Sequence, residues 1–131
     1  MIDYEVKIFN RAHAKAASLC AKNHFVSKVL VSPSGFPAAS LIEMDNETVK
    51  RLQSSTPKEN FARITYQLEV YAMSKSECRT VFAAVDEEMI SMNFSRISGQ
   101  YINNAANPKV FRYVARYEAL IDTEGNLYRA A

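Results

Sequence analysis

The side chains best able to do chemistry in this sequence are few, and their spacing does not bring them together. The chain has 2 Cys and 2 His among 131 residues. Cys20 and Cys78 stand far apart, and neither has a second Cys or a His at the spacing that zinc sites and redox motifs use. Both are expected to be reduced thiols, buried as small hydrophobes. His13 falls on the apolar stripe of a helix, where a packed ring with one hydrogen bond is the ordinary state. His24 sits near that helix's end, where a cationic ring suits the exposed carbonyls. Asp86, Glu87 and Glu88 are consecutive on a helix, so their side chains point about 100° apart and do not converge on one ion. They are expected to form a solvated face. Ser34-Gly35 lies in no nucleophile-elbow pattern. Only 3 Gly are present, with no Gly-Lys-Ser or Gly-Lys-Thr step, so a phosphate cradle is not expected either. Asn46-Glu47-Thr48 and Asn93-Phe94-Ser95 match the glycosylation sequon by chance. No catalytic, cofactor-binding or metal-ligating residues are expected.

The elements that carry these residues follow from periodicity. Ile2, Val6, Phe9, His13, Ala16 and Cys20 recur at three- and four-residue steps, which predicts one helix stripe from about Ile2 to Lys22. Ser32-Pro33-Ser34-Gly35-Phe36-Pro37 predicts a loop leading into a strand from about Ala38 to Met44. Asp45 to Asn60 is polar and contains Ser54-Ser55-Thr56-Pro57, so it is expected to be a long loop, with room for a short strand around Thr48 to Leu52. Ile64, Tyr66, Leu68, Val70 and Ala72 alternate with Arg63, Thr65, Gln67 and Glu69, which predicts a strand from Ala62 to Ala72 with one buried face. Ser74-Lys75-Ser76-Glu77 is a capping box, followed by a helix stripe of Cys78, Val81, Phe82, Val85 and Met89. Strands are expected over Arg96 to Ile102 and Val110 to Ile121. Asp122-Thr123-Glu124-Gly125-Asn126 is a hairpin turn returning through Leu127-Tyr128-Arg129. The expected fold is α+β in one domain over residues 1–131. Two helices pack on one face of a largely antiparallel sheet, in the order α-β-(β)-β-α-β-β-β.

Composition agrees with a folded domain: 48% hydrophobic and 23% charged residues. Sixteen basic and fourteen acidic side chains leave a net charge of +2 without a basic block. Free nucleic acid is therefore not the expected partner, and the long strands lack the aromatic and glycine spacing of an RNA-binding platform. The start has no uninterrupted apolar core of a signal peptide and no 18-residue apolar run follows, so a cytosolic protein without a membrane contact is expected.

Three stretches carry a family resemblance: Phe36-Pro37-Ala38-Ala39-Ser40-Leu41-Ile42-Glu43-Met44-Asp45-Asn46, Tyr66-Gln67-Leu68-Glu69-Val70-Tyr71-Ala72, and Arg112-Tyr113-Val114-Ala115-Arg116-Tyr117-Glu118-Ala119-Leu120-Ile121. With the start Asp3-Tyr4-Glu5-Val6 to Asn10-Arg11, their order resembles small siphophage neck and tail structural proteins of the tail-terminator or tail-to-head joining type. The chain departs from that pattern at Ala72-Met73-Ser74-Lys75, where it runs directly into the helix instead of through a glycine- and lysine-rich loop. The resemblance implies a virion protein, phage or prophage encoded and made in the bacterial host cytoplasm. It would form a homo-oligomeric ring, commonly of six subunits, on connector or tail-tube proteins, with DNA only as cargo in the channel. It implies no catalytic residue and no cofactor, and it covers both the connector and the tail-cap position.

A ring subunit must offer two different surfaces that fit head to tail. The long polar loop supplies Asp45, Asn46, Lys50, Arg51 and Lys58 as candidates, and one face of the last long strand supplies Arg112, Arg116 and Glu118. The same alternation also suits a solvated sheet face. The alternative from another class is a cytosolic ligand- or nucleic-acid-binding module without catalytic activity, which would show a concave apolar pocket with a few convergent polar groups.

Overall fold

A computed structural model describes residues 2–30, 33–49, 61–102 and 109–129. In chain order the elements are α1 (Glu5–Ala16), a 3-10 turn (Ala17–Leu19), β1 (Phe25–Val26), β2 (Ala38–Thr48), β3 (Phe61–Ala72), α2 (Lys75–Ser91), β4 (Ser95–Ile102), β5 (Phe111–Asp122) and β6 (Leu127–Arg129). The strands form one sheet in the order β1-β2-β3-β5-β4, with β6 also paired to β5. β1 runs parallel to β2, and the other pairs are antiparallel. β4 takes Arg112 to Glu118 of β5 and β6 takes Ala119 to Ile121, so the two lie end to end along the same side of that strand. The α+β class and the helix and strand order are as expected from the sequence.

The alternation in β3 produces its two faces. Ala62, Ile64, Tyr66, Leu68, Val70 and Ala72 enter the core with Ala115, Tyr117, Ala119 and Ile121 of β5. They pack under Cys78, Val81, Val85 and Met89 of α2. Full burial of a side chain such as Leu68 or Ile64 stabilises the fold by roughly 1.5–3 kcal/mol relative to an exposed one. Ser74 caps α2 as the spacing requires: it is extended at the N-cap and its hydroxyl accepts from the Glu77 backbone N–H at 3.2 Å.

The first helix is shorter than its sequence pattern and turned differently. Its buried side chains are Ile8, Ala12 and Ala16, while Val6 is 73% exposed. The reason lies in α2, against which α1 packs: small residues at positions i and i+4 let the two helices approach closely, and Val6 falls off that line. Phe9 and His13 flank the stripe and stack with Phe25 of β1, at ring separations of 5.5 and 5.6 Å. His24 is not a helix cap, because α1 and its 3-10 turn end before it; its ring lies 2.7 Å from the Lys22 carbonyl and 3.1 Å from the Ser34 hydroxyl.

The acidic run on α2 is also not a uniformly solvated face. Glu88 is buried and pairs with Arg11 of α1 at 2.6 Å. Asp86 accepts from the Tyr117 hydroxyl at 2.7 Å and from Arg96 at 3.2 Å. Only Glu87 faces out. Of the thiols, Cys78 is fully buried with Sγ 3.4 Å from the Phe111 carbonyl, whereas Cys20 is half-buried. Burial pushes both thiols up to about 11.

Strand β2 runs four residues further than the pattern suggested. Up to Glu43 its pairing with β3 is regular, and a bulge at Met44 then shifts the register, so that Asn46 lies opposite Ile64 and Thr48 opposite Ala62. The bulge sends Asp45 and Glu47 outward, opposite Thr65 and Arg63, which lets polar residues continue a strand. Asp45 to Thr48 therefore belong to the sheet and not to the loop. Residues 50–60, including Lys50, Arg51 and Lys58, lie outside the described residues, as does the suggested strand beyond Val49.

Candidate functional site

Both helices cover one face of the sheet, and the opposite face carries the sequence-predicted assembly residues of β5. Arg112, Arg116 and Glu118 point to this helix-free side, as their alternation with Tyr113, Ala115 and Tyr117 requires. Each meets a partner from β3. Arg116 lies directly opposite Gln67, and its Nε donates to Gln67 Oε1 at 3.0 Å. Arg63 pairs diagonally with Glu118, Nε to Oε1 at 2.8 Å. Arg112 pairs with Glu69 and stands over the Tyr71 ring, 5.7 Å from its centroid. The hydrogen bond that Arg112 donates to Glu69 holds its guanidinium above its ordinary pKa, and burial, then the Glu69 charge, raises the Tyr71 phenol. The face is thus a ladder of cross-strand polar pairs within one subunit, with Arg116 most open to solvent and with the buried Nε atoms of Arg63 and Arg112 lacking a well-aligned hydrogen-bond acceptor.

The ladder is not equally open along its length. At one end Tyr71, Ala38 and Val110 form a small second cluster, with Leu30 and Phe36 packed against it. Glu69 is buried at this end, at 5% exposure, while its partner Arg112 stays partly exposed. A half-buried pair of this kind fixes geometry more than it adds stability. The other end, with Arg63, Glu118 and Asp45, stays accessible.

The loop candidates separate. Asp45 joins the helix-free face and is exposed. Asn46 does not: it turns to the helix side, where its Nδ2 donates to the Ile2 carbonyl at 2.7 Å and ties the chain start to β2. Sequence alternation identified Arg63, Gln67 and Glu69 as the outer side of their strand. It could not pair them with Arg116, Glu118 and Arg112, because that needs the register between β3 and β5.

One cluster had no sequence signal. Glu43 lies on the helix side, where the Tyr66 hydroxyl donates to it at 3.4 Å and Asp3 and Glu5 stand near. Burial first, then Glu5 and Asp3, push its carboxyl up to about 7, against the hydrogen bonds from Tyr66 and Asn46. An open groove of about 650 Å³ runs along the outer side of α1, past Tyr4, Val6, Lys7, Asn10 and Arg11. All its described lining comes from the first residues and α1. Among the described residues, no group of three or more His, Cys, Asp and Glu is placed to hold a metal ion, and no helix is long and apolar enough to cross a membrane.

No protein-family model matches the chain, and no curated protein matches it. Among solved structures the fold is similar to a chain of the virion of a native gene transfer agent particle, with a TM-score of 0.64 and 14% identity. The similarity covers 92% of this chain and 99% of that one.

Proposed function

We propose that this protein is a non-enzymatic structural subunit of a phage-type virion, forming an oligomeric ring that joins tail to head or terminates the tail tube. The observation that carries the reading is the whole-length fold likeness to a virion chain, which leaves almost none of either chain unmatched. A shared supersecondary motif would leave one of the two partners with a large remainder. The resemblance of the three sequence stretches to siphophage neck and tail proteins points the same way from separate residues. The expected partners are further copies of this chain, six to a ring, with connector and tail-tube proteins above and below it, and DNA as cargo.

The ladder on the helix-free face suits such a role. Two of its arginines are matched by carboxylates inside the subunit, Arg112 by Glu69 and Arg63 by Glu118, while the exposed Arg116, held by the neutral Gln67, is left as the charge that a neighbour or a channel would meet. Immunogold labelling of particles, with electron microscopy of the purified chain at high concentration, tests the reading. Label at the head–tail junction and closed rings are expected. Label over the capsid shell, or a chain absent from particles that remains monomeric while binding a small ligand, overturns it in favour of a binding module.

A further inference from the structure

The two long strands at the sides of the sheet share a feature that the ladder does not use. β4 pairs with β5 on one side only, and β1 covers β2 only at Ala39 and Ser40. Among the described residues no other strand pairs with the outer side of β4, or with that of β2 from Leu41 onward. Each strand has a register shift, at Met44 in β2 and at Ile97 in β4. Each bulge displays a large apolar side chain, with Met44 50% and Ile97 53% exposed. A bulge spoils an edge for indiscriminate strand pairing, yet it re-aims one side chain outward. A strand that only had to avoid aggregation would place a charge there.

The two edges differ in charge. β2 carries Glu43, Asp45 and Glu47 and no base, whereas β4 carries no acid and has Arg96, half-exposed although it also reaches Asp86 of its own subunit, with Lys75 nearby over the Tyr101 ring. Two β2 edges brought together would oppose the exposed Asp45 and Glu47 with their own copies, and two β4 edges would oppose arginine with arginine. Only the unlike pair matches charge, and an unlike pair repeats head to tail.

We propose that successive copies of this chain meet through their sheet edges, the β4 edge of one against the β2 edge of the next, with Ile97 and Met44 as the apolar contacts. The proposal rests on the ring reading above and specifies which surfaces close the ring.

Cross-linking tests it on the full chain carrying Cys20→Ala, with Cys78 left in place because it is fully buried. Met44→Cys and Ile97→Cys are made singly and together, and treated with a short bis-maleimide at high protein concentration. Both positions are exposed, so unchanged thermal melting is expected. The double variant should give a ladder of covalent multimers, and each single variant should remain at least tenfold less cross-linked. Dimers from a single variant would mean a like-with-like contact and overturn the proposal. Closed rings by microscopy without a ladder would also overturn it, while leaving the ring reading intact. Coupling from these positions to a different protein in intact particles would assign the edges to that partner instead. If no assembly forms by either method, at any concentration or in particles, the ring reading fails and this proposal fails with it.

Discussion

The Tyr117 hydroxyl donates to Asp86 across 2.7 Å, joining the central strand β5 to the helix above it from inside the core. Tyr117 is fully buried, and burial, then the bond to Asp86, raises its phenol pKa. Tyr117→Phe removes one hydrogen bond and leaves Asp86 with Arg96, so it should destabilise the domain by about 1–2 kcal/mol. Asp86→Ala should cost more, because it leaves the phenol buried without its acceptor. Urea denaturation midpoints check the order of the two; a harmless Asp86→Ala would mean that the phenol finds another acceptor.

Loss of the N-cap on α2 is a separate test of local structure. Ser74→Ala should lower stability by about 1 kcal/mol, whereas Ser74→Asp should retain most of it. The comparison of the two melting temperatures isolates the cap from any change in packing.

Glu43 makes stability depend on pH in an unusual direction. Its folded pKa of about 7 lies above the ordinary 4.5, so between those values the folded chain holds a proton that the unfolded chain releases. This contribution is therefore lost as pH rises from about 4.5 to 7, and is absent above that. Glu43→Gln keeps an uncharged group beside Tyr66 and Asn46 and removes the repulsion from Asp3 and Glu5. It should raise the melting temperature at pH 8 and change it little at pH 4. Equal effects at the two pH values would show that the carboxyl titrates as an ordinary surface group.

Cysteine chemistry should be dispensable. With Cys78 packed beneath Phe111 and Cys20 half-buried, replacing both by Ala should cost a few kcal/mol at most, mainly at Cys78. Assembly should be unchanged, as sedimentation at matched concentrations would show. Zinc bound at one equivalent per chain would contradict this.

Residues 50–60 can be removed without stretching the chain, because the Val49 N–H already donates to the Phe61 carbonyl at 3.0 Å. A tight turn in their place should leave the melting temperature nearly intact and abolish ring formation. A shortened chain that still forms rings would shift the assembly contacts wholly onto the sheet.

What the sequence revealed and concealed divides by the range of the forces involved. β3 and β5 were legible because a buried face imposes a strict two-residue period, and the start of α2 because a cap is local. The buried line of α1 was not, since Ala12 and Ala16 matter through their smallness against α2 while Val6 only looks more apolar. The last residues of β2 were concealed by the bulge at Met44, which makes Asp45 and Glu47 fit a strand they appear too polar for. Asp86 and Glu88 read as solvated until Tyr117, Arg96 and Arg11 reached them from other elements. Of the assembly candidates, Arg112, Arg116 and Glu118 shared a face as their spacing required, and Asn46 left it because its partner is Ile2, 44 positions away.

The sheet order has a consequence for how the chain leaves the ribosome. β5 lies between β3 and β4, both of which are made before it, so β3 can pair only with β2, and β4 with no strand, until β5 has emerged. Tyr4 adds a second late closure: its hydroxyl donates to the Thr123 carbonyl and its ring lies where a Cβ on Gly125 would stand. The segment before α1 thus waits for the turn at Thr123 to Gly125. A product truncated before β5 would lack an interior strand of its sheet rather than its rim, and with it Ala115, Tyr117, Ala119 and Ile121 of the core, so completion of β5 is the step on which the sheet closes.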